Sequence, residues 1–574
     1  MKQLICILLA LMCLASLVAC NSGTGSSSRP SKRPSSSSSV SNDPSSSSSS
    51  SPSVQSPESS SQVSSQQPPV IRPTTMTKRT AFYSPRQAVC VYTVSAEGLD
   101  ADTLSMLRSL QGLIARYDSA ALYIIEDSAD LFWKNYASDE MGIYFQSATV
   151  ESVIARYSSL INGVVIYTPE TYEYEVAFNM AVQSDKLIAT EQVARRYVLT
   201  SIGQISDVRN LYKDKQAAYN QLLADSGKAW EYLCLSGEGS DFADYAYATG
   251  ALMLNLDVQV DWEKALLESL LQREGWSLPA VAFVEQKPEG LVTLLSTFGF
   301  GALQVSGFSN STFLSSVTTA KKFNAKQPSV NTAGAEGTAY LSFLIRSGTL
   351  GDTVKGDYAV WSAQSGNIPA SYEMPLALAE LAPAVVMWYS DASVDKSRLV
   401  ARGWTDIDQK AMPYELYRKW HNVNNALMSS VGLGIVTNEN LREDSIYGEN
   451  YGDASKASGI FVTDGRGEGF AWFSEETPVI VSVNVKSLPA LDVLLSSMTA
   501  QRKPQYYIIA LSTETFSQPY TYEATEPDTQ ARTVYLADVL LDHTSREDVN
   551  ISAVTAENLI ESAKLYYSST SDRP

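Results

Sequence analysis

Histidine is almost missing from this chain of 574 residues: His421 and His543 are the whole supply. A His-rich metal site is therefore disfavoured, and a Ser-His-Asp triad has only these two to draw on. His421 stands in a helical stretch, KWHNVNNAL, where a surface or packing role fits better; His543, in LLDHTS, adds no signal. Cysteine is scarce too. Of five, three fall within the first twenty residues, leaving Cys90 and Cys234, which are no disulfide framework. Positive charge is short, with 43 Lys and Arg against 62 Asp and Glu, a net −19. Nucleic acid and anionic lipid both demand basic patches, so neither is an expected partner. No apolar run beyond the N-terminus is long enough to span a membrane. There is no GxSxG elbow, no HExxH and no P-loop. The segment Gly465–Gly469 follows a strand as a phosphate-binding glycine loop would, but FAWFSEETPV after it reads as extended. Without a helix N-terminus to meet phosphate, the dinucleotide reading fails, and no cofactor or metal is implied.

What is present begins at the N-terminus. Lys2 precedes an apolar run from Leu4 to Leu14, then small residues lead to Leu17-Val18-Ala19-Cys20. A charged start and a short apolar stretch make a signal peptide over residues 1–19. Its ending resembles the bacterial lipobox, in which the cysteine thiol takes a diacylglycerol and becomes the new N-terminus. Cys20 is thus the expected lipidation site, and lipid the sole membrane contact, since two acyl chains anchor durably. From Cys20 to residue 75 the chain is mainly Ser and Pro, with almost no aliphatic residues. Such a segment cannot bury enough apolar surface to offset its ordering entropy, so it reads as a disordered tether.

The rest is long enough for two or more cores. From about Ala88, short apolar runs alternate with amphipathic helices: a strand at Ala88–Val94, a helix at Ala101–Tyr117, strands at Ala121–Glu126 and Gly163–Thr168. This is the pattern of a parallel sheet with helices on its faces. Residues 76–228 read as a small N-terminal α/β domain. Over residues 229–574 the alternation resumes, with strands expected at 252–256, 280–284, 302–305, 339–345, 358–361, 399–401, 433–436, 459–462, 479–483 and 506–510. Roughly eight such βα units fit a closed (β/α)-barrel-like domain.

Barrels place their chemistry at the C-terminal strand ends. Acids in such places are Asp257, Glu285, Glu289 and Asp464, with Glu373 and Glu380 in SYEMPLALAELAP. Paired carboxylates hydrolyse glycosides, although helix capping and plain solvation also use acidic residues. Aromatic residues crowd the same region, among them Trp361, Tyr372, Trp388, Trp404 and Trp472. Flat rings stack on sugars, while core packing takes most aromatics.

Several segments resemble the GxGYxYP family of proposed bacterial glycoside hydrolases. These are Ser109–Arg116 (SLQGLIAR) with Ala121–Ile124, Asp244-Tyr245-Ala246 running into Leu254–Asp257, and Glu289 through Leu295–Gly299 to Ser309–Phe313. Ile368-Pro369 and Pro375–Ala384 follow, with a looser match over Gly469–Val479. The resemblance implies a small N-terminal α/β domain ahead of a larger catalytic-type domain, acting on polysaccharide. Two family features depart. After the strand Tyr340–Phe343 the family carries an acidic SDGDN motif, whereas here Ser347 and Thr349 put hydroxyls where the aspartates belong and only the glycine, Gly348, is kept. The naming motif after Leu399–Ala401 is replaced by Arg402–Asp406 (RGWTD). A hydroxyl cannot stand in for a carboxylate as proton donor or nucleophile toward a glycoside.

Three readings follow. The first is a surface lipoprotein that binds or processes polysaccharide on a degenerate hydrolase scaffold, with Trp361, Tyr372 and Trp404 as candidate sugar contacts. The second is an active hydrolase whose acids have relocated, with Glu289, Glu373 and Asp464 as candidates. The third is a structural envelope lipoprotein with no role in carbohydrate.

Overall fold

The computed structural model describes residues 76–199, 204–225, 230–318, 333–346, 348–355, 368–391, 398–438, 457–463, 469–474, 476–512, 515, 519–522 and 532–570. Among them no helix is long and apolar enough to cross a membrane. The signal peptide, Cys20 and the tether lie outside these residues, as do Ser347, Trp361 and Asp464.

The N-terminal α/β region holds two three-stranded parallel sheets. The first has the order β2-β1-β3, with β1 Cys90–Ser95, β2 Leu122–Ile125 and β3 Tyr144–Ser147. The second has the order β5-β4-β6, with β4 Val164–Ile166, β5 Leu187–Ala189 and β6 Ile205–Asp207. Helix α1, Ala101–Tyr117, falls where the spacing of Leu104, Leu107, Leu110 and Ile114 predicts it. Asp100 caps it, accepting from Thr103 N at 2.8 Å, which anchors the first turn.

The region after residue 230 divides. Tyr232–Leu235 (β7), Leu252–Leu254 (β8), Ala280–Val284 (β9) and Phe300–Gln304 (β10) form an open parallel sheet ordered β8-β7-β9-β10. Three strands assigned by sequence to the barrel thus belong to this separate sheet. Buried parallel strands are apolar on both faces in either setting, so their composition does not distinguish open from closed. The barrel itself has seven strands: β11 Thr338–Arg346, β12 Ala370–Pro375, β13 Arg398–Arg402, β14 Ile435–Asn438, β15 Gly459–Val462, β16 Pro478–Val485 and β17 Gln505–Ser512. Each pairs in parallel with the next, and β17 closes on β11 from Ala339↔Gln505 to Arg346↔Ser512. On the other side of β11, β12 pairs with Phe343–Ile345 and a late strand, β18 (Asn550–Ala553), with Thr338–Leu341.

The motif segments supply the cement between these parts. Gly112 lets α1 approach helix α2 (Ala243–Thr249), because a Cβ there would lie 2.5 Å from Asp244 O and 2.6 Å from Tyr247 Cβ. Arg116 is fully buried and donates to the carbonyls of Val182, Tyr247 and Ala248. Asn310 completes β2, accepting from Ile124 N and donating to Ile124 O, both at 2.8 Å. Buried Asp244 accepts from Thr312 N at 2.8 Å and from the Ser311 and Thr312 hydroxyls. Glu380, in the PLALAELAP segment, accepts from three successive amides, Thr80 N, Ala81 N and Phe82 N, at 2.7, 2.9 and 2.9 Å. A buried charge is tolerated when hydrogen bonds of this kind satisfy it.

Glu380→Ala strands three amide donors, so chemical denaturation should show a loss of about 3 to 5 kcal/mol, the range for breaking a buried charged contact. Gly112→Ala should also destabilise, through the forced separation of α1 and α2, by about 1 to 3 kcal/mol.

Candidate active site

Side chains alternate across each barrel strand, and one face of each gathers in the lumen. Leu344, Val400, Ile435, Phe461, Ile480 and Ile508, one from each of six strands, form a separate apolar cluster. Helix α3 (Leu350–Lys355) follows β11, and the last helix, α4 (Ala556–Ser569), packs Leu559, Ile560 and Tyr567 against this cluster. The opposite faces, including Phe343, Ala401 and Ile509, join the main core.

Polar side chains interrupt the lumen lining, Ser342 and Ser482 at mid-strand in register with Ile508, and Glu373 and Thr463 nearer the C-terminal strand ends. Ser342, Glu373, Thr463 and Ser482 each bury a side-chain oxygen with no hydrogen-bond partner among the described residues. Glu373 is 1 % exposed; its Oε2 lies 3.4 Å from Arg346 Nε, and Oε1 is the orphan. Around the rim, Asn484 Nδ2 donates to Thr463 O at 3.3 Å and Gln409 Nε2 to Asn438 Oδ1 at 3.3 Å. Buried polar atoms left without partners mark places where water or ligand is wanted. The lumen mouth is therefore the candidate site.

A second acid beside the rim is occupied. Asp406 receives Arg402 Nη2 at 2.7 Å on Oδ1 and Lys287 Nζ at 2.6 Å on Oδ2. Burial opposes its charge, but Arg402 and Lys287 outweigh it and hold the carboxyl below its ordinary range. Its backbone pairs in both directions with Ala302 of β10, at 2.9 and 2.7 Å. That pairing needs Gly301, where a Cβ would fall 1.9 Å from Thr405 Oγ1. Asp406 is thus a clamp between the barrel and the open sheet.

Thr349, at the degenerate motif, has a structural task. Its Oγ1 accepts from Asp352 N at 2.9 Å while Asp352 Oδ2 accepts from Thr349 N at 2.8 Å. This reciprocal pair caps α3. Gly348 contributes its carbonyl, which accepts from Arg402 Nη1 at 3.4 Å.

Three sequence candidates take other places. Trp404 is 2 % exposed and packs edge-on against Phe82, ring centroids 6.1 Å apart, so no face is open to a sugar. Tyr372 is 8 % exposed and leans on Tyr389 at 4.9 Å, on the wall side of β12. Glu289 is exposed in the loop after β9, on the open sheet and not at the end of a barrel strand. Of the proposed catalytic acids that are described, Glu373 alone sits in the lumen. Arg346 and Arg402 carry a sequence signal, a charge directly after a β-type run, whereas Asp406, four residues past its strand, carries none. Burial pushes the His421 imidazole down to about 4, a packed ring between Tyr417 and Trp420.

These features define an α/β protein with a seven-stranded parallel barrel and a polar mouth at the strand ends. Residues 90–159 match the GxGYxYP_N 1st domain and residues 161–226 the GxGYxYP_N second domain. Residues 90–226 are thus similar to the two N-terminal domains of the GxGYxYP family. Among solved structures, a protein described as a putative hydrolase from Bacteroides thetaiotaomicron aligns at a TM-score of 0.71 with 18% identity, over 86% of this chain and 98% of that one. At that identity the likeness is one of fold. A protein described as a putative polysaccharide deacetylase from Mycobacterium smegmatis aligns at 0.28 with 9% identity, over 44% and 98% of the respective chains, too faint a likeness to bear on the fold. No curated protein matches the chain.

Thr349→Ala should cost about 1 kcal/mol through the lost cap, whereas Thr349→Asp should stay within about 0.5 kcal/mol because aspartate caps as well; thermal melts compare them. The lowered Asp406 pKa means its contribution is present above the ordinary value of 3.8 and is lost as pH falls below it. Melting temperature should therefore drop between pH 5 and pH 3 by more in the native chain than in Asp406→Asn.

Proposed function

We propose that this chain is an exported, lipid-anchored surface protein that binds polysaccharide at its barrel mouth, on a hydrolase scaffold whose catalytic acids are lost or relocated. The observation that carries this reading is the state of the acids. A glycosidase needs one carboxyl free to donate a proton and a second free to attack or to activate water. Among the described residues, the lumen offers Glu373 against Arg346, and Asp406 is bound on both oxygens. The motif position at Thr349 is spent on capping α3. The polar mouth remains, with unpartnered oxygens on Glu373 and Thr463 suited to sugar hydroxyls. Trp361 and Asp464, outside the described residues, stay candidates for a stacking ring and a further acid. A hydrolase with relocated acids is the second reading, favoured by the free Oε1 of Glu373.

The test is a glycan-array screen of the soluble chain beside reducing-end assays on the same glycans. Binding without new reducing ends, weakened at least tenfold by Glu373→Gln, is the expected result. Turnover abolished by Glu373→Gln would establish the hydrolase instead. Neither binding nor turnover across plant, host and bacterial glycans would leave a structural lipoprotein. For the anchor, Cys20→Ala should release the protein into the medium, read by immunoblot of cell and supernatant fractions. Retention of that variant on the membrane would refute lipidation at this residue.

A further inference from the structure

A second concavity lies away from the barrel, at the C-terminal ends of the open sheet. In the order β8-β7-β9-β10 the chain leaves β7 toward β8 on one side and β9 toward β10 on the other. Ligands of open α/β sheets bind in the crevice where strand order reverses in this way. Here the loops after β7 (Ser236–Asp241) and β9 (Glu285–Pro288) line a crevice of about 1330 Å³. That exceeds the roughly 300 to 1,000 Å³ usual for a small-molecule site and leaves room for more than one sugar ring.

Its chemistry is one-sided. Seven carboxylates line it, and Asp241 is taken by Arg108 at 2.6 Å. The other six are Asp102, Glu170, Glu175, Glu238, Asp257 and Glu285. Lys215 is the one cation of the lining, and both oxygens of Glu263 hold it, at 2.8 and 2.9 Å. Glu238 accepts only neutral donors, Tyr167 Oη and Glu170 N, and Glu285 the hydroxyls of Ser236 and Ser240. Burial pushes the Glu175 carboxyl up to about 7, against the Tyr219 hydroxyl bond that lowers it, and raises Glu285 likewise. Behind this wall the fully buried Tyr174 hydroxyl has no hydrogen-bond partner among the described residues and feels the charges of Arg108, Glu175 and Glu238. An orphan donor beside under-compensated acids marks a polar site left incomplete.

We propose that this crevice binds an amino sugar oligomer, its free ammonium groups facing the carboxylates and its hydroxyls the Ser105, Thr171, Tyr172 and Asn255 side chains. Phosphate, sulfate and uronate ligands are repelled by the same field. Hydroxyl and amide groups on the lining favour a sugar over a plain polyamine. This site is independent of the barrel mouth.

The test is calorimetric titration of the full chain carrying Cys20→Ala with glucosamine tetrasaccharide, its N-acetylated counterpart and spermidine. The tetrasaccharide should bind at least tenfold more tightly than either, with proton release near pH 7 as Glu175 ionises. Glu238→Gln with Glu285→Gln should weaken it tenfold or more. Should that pair misfold, Glu170→Gln with Asp257→Asn, both at exposed loop positions, should weaken it several-fold. Equal affinity for the N-acetylated sugar overturns the ammonium assignment, and equal affinity for spermidine overturns the sugar. No binding, or binding lost in Glu373→Gln, overturns the site itself.

Discussion

Burial of charge is the constraint on which this molecule depends. Arg116, Asp244 and Glu380 lie in the interior, where an unpaired ion costs several kcal/mol; remote backbone groups meet Arg116 and Glu380, and two hydroxyls with one amide meet Asp244. Arg116 gathers carbonyls at the ends of two helices, Asp244 fixes the turn at Thr312, and Glu380 seizes the strap at residues 80–82. These contacts decide which helix meets which sheet. The oily core supplies most of the driving force but little of that specificity, since apolar contacts are non-directional. The motif residues retained here are thus chiefly architectural, and keeping them preserves the scaffold whatever happens at the mouth.

At the mouth the same rule has a chemical consequence. A carboxylate held by arginine or lysine on its oxygens is stable as an anion and unsuited to giving up a proton. Asp406 is in that position, and it joins β10 to β13 where a catalytic acid would have to be free. What the barrel keeps is a lumen with unsatisfied oxygens on Ser342, Glu373, Thr463 and Ser482. Those atoms want hydrogen-bond partners, which is a requirement for binding and not by itself for catalysis.

Much of the fold was legible because helical period and apolar runs are local signals. Helix α1 and the strands at 280–284 and 459–462 lie where spacing places them. Strand β12 escaped notice because its lumen-facing positions are Ser371 and Glu373, so ASYEMP does not read as an apolar run. The division between open sheet and barrel was also hidden, since closure is set by pairing over long separations. Trp404 and Tyr372 misled for a related reason: a ring suited to stacking on sugar is equally suited to a core, and only tertiary burial separates the two. Thr349 shows the converse, for its hydroxyl read as a loss, and its cap on α3 emerged once Asp352 was seen to answer it.

The split partner of β11 bears on how the chain matures. Thr338–Leu341 pairs with Asn550–Ala553, more than two hundred residues later, and α4 packs under the lumen only after that. A polypeptide made from its first residue onward must keep the lower edge of β11 waiting while the intervening strands arrive. Sheet edges left open in this way invite pairing with other chains. The late strand β18 and helix α4 are therefore the pieces that cover this edge and the floor of the lumen, and they are joined to β11 only after the whole of the barrel has been made.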